Sequence, residues 1–368
     1  MFRQKGIVLM RYVRNQLCEY LENTCNSVLS DEISSFSQQL LILMSPTPLG
    51  IIAVFPLPSA FVYNNENYYM LYDIISIALW PDYTCPRPNS MRITTIDGRS
   101  LSTARGFFFP LKKGHAKRLV GNIDQIVKNI DLASGIPLMD GLVIPSDINS
   151  IVVSGNSGSG KSVGVQAISE FLRRTPNTEL VYIDPKKSTG ARWAKQHSDV
   201  NLVVPKENER LEEFLIRVTQ VLSHEVINIF KVQSNLYRDS TKIDTNASEI
   251  NQPKRWLIIE ELEALEAFGT KKELEALFHQ LLLISLLGRE ANTNLLLSLQ
   301  VPRNDILPIP IRSQMRCRIQ LGRIDSSTTT YLFPDLTNLV MPYDGPGIGV
   351  CDIDGTGVQP IAMPTITY

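Results

Sequence analysis

The chain has few cysteines, no excess of charge of one sign and no long uninterrupted apolar run. Its five cysteines are scattered and form no C-x-x-C pair, which argues against a disulfide framework and a zinc site and agrees with a reducing compartment. Lys and Arg number 36 against 37 Asp and Glu, so any nucleic-acid binding must come from a local patch. Hydrophobic residues make up 43% of the sequence, as in ordinary globular proteins.

The first hundred residues show no convincing targeting or membrane segment. The N-terminal 21 residues have no apolar core free of charge and no small-residue cleavage site. The longest apolar stretch, 40–62, contains four prolines, which favours two strands around a turn at 45–48 over a membrane-spanning helix. A helix is predicted over 11–29, and 68–80 fits either a helix or a strand. We therefore expect a small α+β domain over 1–104, with no chemistry assigned to it.

Residues 105–139 are predicted to form a basic linker. The segment RGFFFPLKKGHAKR, from Arg105 to Arg118, mixes basic residues with phenylalanines. Such a mixture can bind nucleic acid through charge and stacking. It can also be a solvated linker whose phenylalanines dock on a neighbouring element, and we favour this second interpretation.

From about Asp140 to Tyr368, apolar runs typical of strands alternate with helical patterns. Strands are predicted at 148–154, 180–183, 256–259, 295–299 and 317–321, and helices at 162–174, 211–230 and 271–287. Alternation of this kind predicts an α/β domain with a mostly parallel sheet covered by helices on both faces. The polar run 239–251 is predicted to be an exposed insertion.

A glycine-rich segment between the first of these strands and its helix matches the phosphate-loop pattern G-x-x-x-x-G-K-[ST] in full. Its eight residues are Gly155, Asn156, Ser157, Gly158, Ser159, Gly160, Lys161 and Ser162. Backbone N–H groups must approach a phosphate chain closely, so side chains must be absent there, and the helix N-terminus adds positive charge. The segment predicts an ATP site in which Lys161 contacts the β- and γ-phosphates and Ser162 binds Mg²⁺.

Two carboxylates follow the apolar strand at 256–259. Glu260 is a candidate to hold magnesium through water, and Glu261 is a candidate base for the attacking water. Both would lie at the carboxyl edge of the sheet, where α/β sheets bind ligands. The two acids can also simply begin a helix whose N-terminal dipole favours carboxylates, and Asp184 is an alternative for the metal role.

Polar residues follow the later strands as well. Gln300 ends the run 295–299 and is a candidate γ-phosphate sensor, or it is a strand-end glutamine bonded to backbone. Arg289 follows a helix and can either complement the helix dipole or reach a neighbouring subunit's nucleotide as an arginine finger. A basic cluster either lines an anionic path or is surface charge; its members are Arg312, Arg316, Arg318 and Arg323.

In their order along the chain, these motifs resemble the FtsK/SpoIIIE family of DNA-pumping ATPases. The segment 151–162 resembles the family's phosphate loop, 182–186 its I-D-P-K block, and 257–265 its acidic strand. The segment 288–300 is similar to its G-R…Q block, and the tail resembles the family through Arg318 and the Gly345/Gly347 turn. The resemblance covers roughly 140–364, over half of the chain.

The resemblance implies a RecA-like P-loop NTPase core, ring hexamers, ATP and Mg²⁺ as ligands, and ATP-driven movement of DNA. By position, Glu260 and Glu261 match the metal and water-activating acids, Gln300 the γ-phosphate sensor, and Arg289 the arginine of the G-R block. Glu260 replaces the usual Asp, and its longer side chain moves the carboxylate by about 1.5 Å, which can slow hydrolysis because Mg²⁺ demands near-ideal geometry.

A short member of this family resembles the motors carried on conjugative plasmids and integrative elements, so a conjugative or mobile-element type of motor is expected. The resemblance then implies single- or double-stranded DNA bound with little sequence preference, and relaxase or membrane transfer-channel proteins as partners. A cytoplasmic location is expected, with recruitment to the inner face of the membrane by those partners. Two alternatives remain: a secretion-type ATPase that moves proteins, and a nucleotide-binding assembly module that does not hydrolyse ATP.

Overall fold

The structure is a computed structural model and describes residues 15–29, 40–54, 65–100, 103–239, 247–334, 336 and 345–368. The described residues form two compact units. The first contains the described residues up to His115 together with 356–359, and the second contains the remainder from Ala116 onward. The predicted domain boundaries at residues 104 and 139 stay predictions.

The first unit is a four-stranded antiparallel sheet with two helices. Its elements are α1 (Gln16–Leu29), β1 (Leu41–Pro46), β2 (Leu49–Val54), α2 (Asn65–Leu79), β3 (Tyr83–Thr84), β4 (Ile93–Thr95), β5 (Arg105–Pro110) and β6 (Lys112–Lys113). The sheet order is β1-β2-β5-β4, and β3 pairs with β6. The predicted hairpin is confirmed, and the ambiguous segment 68–80 is a helix. Residues 11–14 and 55–62, which belong to the predicted helix and apolar stretch, lie outside the described residues.

The phenylalanines of the predicted linker lie in the core of this unit. Phe107 and Phe109 are buried in β5 and pack against Tyr68 of α2. Lys112 and Lys113 stay exposed. The prediction of a linker is therefore wrong for Arg105–Pro110, because alternate residues of a central strand face the helices. The interpretation in which the phenylalanines dock on neighbouring elements is favoured over nucleobase stacking.

The second unit is built around a large sheet. In chain order its elements are β7 (Val120–Asn122), α3 (Ile123–Val127), β8 (Gly135–Met139), β9 (Leu142–Pro145), β10 (Ser150–Gly155), α4 (Lys161–Arg174), β11 (Thr178–Ile183), α5 (Thr189–Lys195), β12 (Val200–Val203), α6 (Leu211–Asp239), a 3₁₀ turn (Ala247–Ile250), β13 (Lys254–Ile259), α7 (Leu262–Glu266), α8 (Lys271–Leu287), β14 (Thr293–Leu299), α9 (Ile309–Arg312), β15 (Cys317–Leu321), α10 (Ser326–Thr329), β16 (Ile348–Ile353), β17 (Gln359–Ala362) and β18 (Thr365–Thr367).

The sheet has the order β12-β11-β13-β14-β10-β15-β16-β17. The first six strands run parallel, and β16 pairs antiparallel with β15. The carboxyl ends of β10, β11, β13 and β14 therefore meet at one edge. The predicted α/β class with a mostly parallel sheet is confirmed, and the antiparallel strand β16 beside β15 is an addition that the sequence patterns did not predict.

Both faces of the sheet are covered, as predicted. Val153, Tyr182 and Ile258 share one core with Phe171 of α4 and Trp193 of α5. Neighbouring residues of the same strands alternate to the opposite face, where α8 contacts β14 and packs against α6. Burial on both faces, which is complete in β10 and β14, explains why the strand sequences are continuous apolar runs. Among the helices that the structure describes, none has the length and apolar character needed to span a membrane.

Candidate nucleotide-binding site

The predicted phosphate loop connects β10 to α4 through a tightly wound backbone. Gly158 and Gly160 have φ values of +80° and +85°, a left-handed conformation that glycine adopts without steric cost. A Cβ on Gly155 would lie 2.5 Å from Ser159 Oγ and 2.9 Å from the Leu321 carbonyl. The glycines are therefore required by the course of the backbone, which leaves N–H groups free to face an anion.

A second turn, Gly345–Gly347, supports the phosphate loop from outside. The Gly347 N–H donates a hydrogen bond to the Ser159 carbonyl at 2.7 Å. A Cβ on Gly160 would lie only 2.4 Å from Gly347 N. The guanidinium of Arg118 donates to the Pro346 carbonyl and, at 3.1 Å, to Thr365 Oγ1. Chain segments far apart in sequence thus fix the shape of the loop.

A cavity of about 330 Å³ opens beside the loop at the carboxyl edge of the sheet. It is lined by loop and helix residues 156–158 and 160–163, and by Glu261 and Gln300. Most of the predicted phosphate loop therefore meets two of the predicted strand-end residues in one place. Gly155 and Ser159 belong to the loop but do not line this cavity.

Glu261 lies between two lysines. Its Oε1 accepts a hydrogen bond from Lys161 Nζ at 2.9 Å, and its Oε2 accepts one from Lys186 Nζ at 2.8 Å. Lys161 also donates to Ser298 Oγ at 3.3 Å. Lys161 is 5% exposed and Glu261 14%, so both charges sit in a largely desolvated site, where electrostatic interactions are strong.

The backbone of Glu261 explains this position. Its φ of 53° and ψ of 54° place it in the left-handed region, directly before α7, which is uncommon for a residue with a side chain.

Burial acts to raise the pKa of Glu261, but the hydrogen bonds and charges of Lys186 and Lys161 outweigh it and hold the pKa at about 2. Glu261 is therefore a carboxylate at neutral pH and can accept hydrogen bonds from water.

Glu260 lies apart from its neighbour in sequence. It is fully buried, and its Oε2 accepts hydrogen bonds from Tyr182 at 2.7 Å and Ser188 at 3.2 Å. A Cβ on Gly190 would lie 2.2 Å from this oxygen. Burial raises the pKa of Glu260, while the Tyr182 hydroxyl opposes that rise. Its Oε1 has no hydrogen-bond partner, and Glu260 does not line the cavity.

Asp184, the alternative metal ligand, is occupied by the turn after β11. Its carboxylate accepts hydrogen bonds from the backbone N–H groups of Lys186, Ser188 and Ala191 at 2.9, 2.7 and 3.2 Å, and from Ser188 Oγ at 2.7 Å. These contacts use both oxygens. Asp184 therefore holds the turn that presents Lys186 and Ser188.

Gln300 is placed by a residue that the sequence analysis did not assign. Its backbone N–H donates to Glu263 Oε1 at 3.0 Å, and its carbonyl accepts from Gly155 N–H at 3.2 Å. Its exposed side chain lines the cavity. Lys186 and Ser298 were also missed. Each follows or ends a strand at the same sheet edge, and that placement is the signal that could have identified them.

Arg289 lies at the opposite edge of the sheet. It precedes β14, whereas Gln300 follows it, and the seven residues of β14 span about 20 Å. The pKa of Asp354 at that edge is lowered mainly by the hydrogen bond from Arg316 and to a smaller extent by the charge of Arg289. The structure therefore does not bring Arg289 to the phosphate loop of its own chain.

The basic cluster is largely used within the unit. Arg316 pairs with Asp147 and Asp354, each at 2.9 Å. Arg318 donates to backbone carbonyls, and Arg312 donates to the Pro302 carbonyl and to Asn304. Arg323 is exposed and pairs with Asp325 at 3.0 Å. These contacts favour the interpretation as surface charge over that of an anionic path.

The residues present fit a magnesium ion bound mainly by phosphate and water. Mg²⁺ usually keeps several waters and takes only one or two protein oxygens beside the substrate phosphates. Ser162 lines the cavity, and the buried, unpartnered Oε1 of Glu260 is an acceptor of the kind that a metal-bound water needs. The described part of the chain contains no cluster of three or more His, Cys, Asp or Glu that could hold a metal by itself.

Comparisons with known proteins place the fold. No family model and no curated protein matches the sequence. Among solved structures, the chain is similar to the conjugation coupling protein TcpA of pCW3, solved as a monomer with ATPγS, at 15% identity over 96% of both chains and a TM-score of 0.54. It is similar to the cytoplasmic domain of EssC at 13% identity, covering 86% of this chain and 56% of that one, with a TM-score of 0.50.

A third similar structure is the cytoplasmic domain of the type VII secretion ATPase EccC from Thermomonospora curvata, at 17% identity, with 63% of this chain and 28% of that one covered and a TM-score of 0.48. The chain thus spans about half of the EssC domain and about a quarter of EccC. At these identities the similarity shows the fold: the chain has the α/β P-loop NTPase fold of TcpA and EssC, and the predicted resemblance is confirmed at that level.

Proposed function

We propose that this protein hydrolyses ATP and couples hydrolysis to the movement of DNA in conjugative transfer. The observation that carries the ATPase function is the arrangement at the cavity. A phosphate loop, its buried lysine, a carboxylate 2.9 Å from that lysine and a strand-end glutamine share one cavity at the carboxyl edge of the sheet. This combination supplies phosphate binding, a base and a γ-phosphate contact.

Each side chain has a defined part in hydrolysis. Lys161 and the loop N–H groups bind the β- and γ-phosphates, and Ser162 with Glu260 would hold magnesium, which neutralises charge on the phosphates when bound. Glu261 orients a water that attacks the γ-phosphorus and accepts its proton. The new phosphorus–oxygen bond forms as the bond to the β,γ-bridging oxygen breaks, and ADP leaves with that electron pair. Gln300 contacts the γ-phosphate.

The DNA substrate is supported by the conjugation coupling protein TcpA, whose chain matches this one over 96% of both lengths. We propose DNA bound through its phosphates with little sequence preference, a ring, expected to be hexameric, in which Arg289 of one subunit completes the site of the next, and relaxase or transfer-channel partners. The cytoplasmic location at the inner face of the membrane follows from those partners.

An ATPase assay with and without DNA tests the proposal. We expect hydrolysis in the presence of Mg²⁺ that single- or double-stranded DNA increases, and DNA binding that weakens steeply with salt because phosphate contacts release counterions. An ATP hydrolysis rate that is unchanged by DNA would favour a motor with a protein substrate. Nucleotide binding without turnover, with or without DNA, would show an assembly module instead.

A further inference from the structure

We propose that Lys186 is a positioning residue for hydrolysis: it holds one oxygen of Glu261 so that the other faces the attacking water. The inference rests on the proposed ATPase function. Its starting point is that the two carboxylate oxygens have different partners, with Oε1 bound by Lys161 and Oε2 by Lys186. One carboxylate is thus held from two sides by two lysines that lie 25 residues apart in sequence.

The two lysines differ in exposure and in whether they contact the phosphates of ATP. Lys161 is 5% exposed and belongs to the phosphate loop, whereas Lys186 is 48% exposed and does not line the cavity. A phosphate chain in the loop competes with Glu261 for Lys161, because the lysine is the loop's charged side chain. Lys186 lies outside the lining of the cavity, so its bond to Oε2 persists when Oε1 is released toward the γ-phosphate.

The backbone that presents Lys186 is itself fixed. Its N–H donates to Asp184 Oδ1 at 2.9 Å, and the same carboxylate binds the N–H groups of Ser188 and Ala191. Lys187, the next residue, has a left-handed φ of 52°. Glu261 also has a left-handed backbone. The left-handed conformations of Lys187 and Glu261 therefore fix the backbone on both sides of the ion pair between Lys186 and Glu261.

Without Lys186, the Glu261 carboxylate would lose the charged anchor that remains when Lys161 turns to the phosphate. Loss of alignment between a base and its water can cost about 100-fold in rate. Binding of ATP, in contrast, depends on the phosphate loop and Lys161. The inference therefore predicts a loss in kcat without a matching change in KM when Lys186 is removed.

The test compares the steady-state ATPase activity of full-length Lys186→Met, Lys186→Arg and Lys187→Met. Methionine keeps most of the apolar stem and removes the charge. Lys187→Met is the matched control, because it removes the same charge from an exposed neighbouring residue. We expect Lys186→Met to lower kcat by about 10- to 100-fold with KM within about twofold. Lys186→Arg should retain most of the activity, and Lys187→Met should behave as the wild type.

A double-mutant cycle with Glu261→Gln separates positioning from a general structural effect. If Lys186 acts through Glu261, adding Lys186→Met to Glu261→Gln should lower the residual rate less than twofold. The same loss in both backgrounds would overturn the inference, as would wild-type kcat in Lys186→Met. These results are distinct from failure of the proposed function, in which the wild type itself binds a fluorescent ATP analogue but does not hydrolyse ATP.

Discussion

The substitution Glu261→Gln should tighten ATP binding and, at the same time, strongly slow hydrolysis. In the structure, Glu261 Oε1 accepts a hydrogen bond from Lys161 Nζ at 2.9 Å, and the side chains of Glu261 and Lys161 are only 14% and 5% exposed. Charge-assisted hydrogen bonds of this kind contribute about 1.5–3 kcal/mol, and ATP must replace this one. Glutamine keeps an acceptor oxygen but not the charge. About half of the free energy with which residue 261 competes with ATP for Lys161 is therefore lost. Half of that range is about 0.75–1.5 kcal/mol, and since about 1.4 kcal/mol corresponds to a factor of ten, ATP affinity should rise about 3- to 12-fold.

Turnover should move in the opposite direction. Glutamine cannot accept the proton of the attacking water, and loss of a general base costs about 10²- to 10⁴-fold. Titration with a fluorescent ATP analogue measures affinity, and single-turnover hydrolysis measures the chemical step. Glu266→Gln, at the end of the short helix α7 that follows Glu261, is the matched control for charge. Weaker ATP binding by Glu261→Gln would refute the competition for Lys161, and retained turnover would transfer the role of base to another residue.

Three further variants probe the loop and the assembly. Lys161→Ala should abolish ATP binding in the same titration, because it removes the charge that faces the β- and γ-phosphates; normal affinity would mean that the site is misassigned. Gly160→Ala should lower the thermal midpoint by more than Gly141→Ala, since both positions have positive φ but only Gly160 also meets Gly347 N; equal shifts would show that the contact is harmless. Arg289→Ala mixed with Lys161→Ala should recover ATPase activity that neither variant has alone, whereas full activity of Arg289→Ala by itself would exclude an arginine finger.

Much of the site is predictable because its residues follow strands. Continuous apolar runs identify buried parallel strands, and the carboxyl ends of such strands meet at one edge. The phosphate loop, Glu261 and Gln300 are therefore identifiable from the order of residues alone. The family resemblance points to the I-D-P-K block but assigns no role to Lys186. A side chain's partner across the sheet edge depends on strand order, which local sequence patterns do not contain.

The separation of Glu260 from Glu261 is not predictable in this way. Adjacent residues in an extended strand point to opposite faces, but here the left-handed φ of Glu261 redirects the chain at the point where the strand ends. One carboxylate consequently enters the core beside Tyr182, and the other faces Lys161. No propensity pattern in the sequence marks a left-handed glutamate, and its conformation is stabilised by tertiary ion pairs.

The contact between Gly160 and Gly347 changes what counts as the nucleotide motif. A pattern search recognises eight contiguous residues, yet that short window is shaped by a distant turn whose backbone nitrogen would lie 2.4 Å from any Cβ at Gly160. Sequence drift in that turn can therefore alter nucleotide affinity while the recognisable motif stays intact. A phosphate loop transplanted onto another strand and helix would keep its sequence but lose the contacts with Gly347 that support its backbone. The nucleotide motif of this protein therefore includes the turn Gly345–Gly347 as well as the eight residues of the phosphate loop.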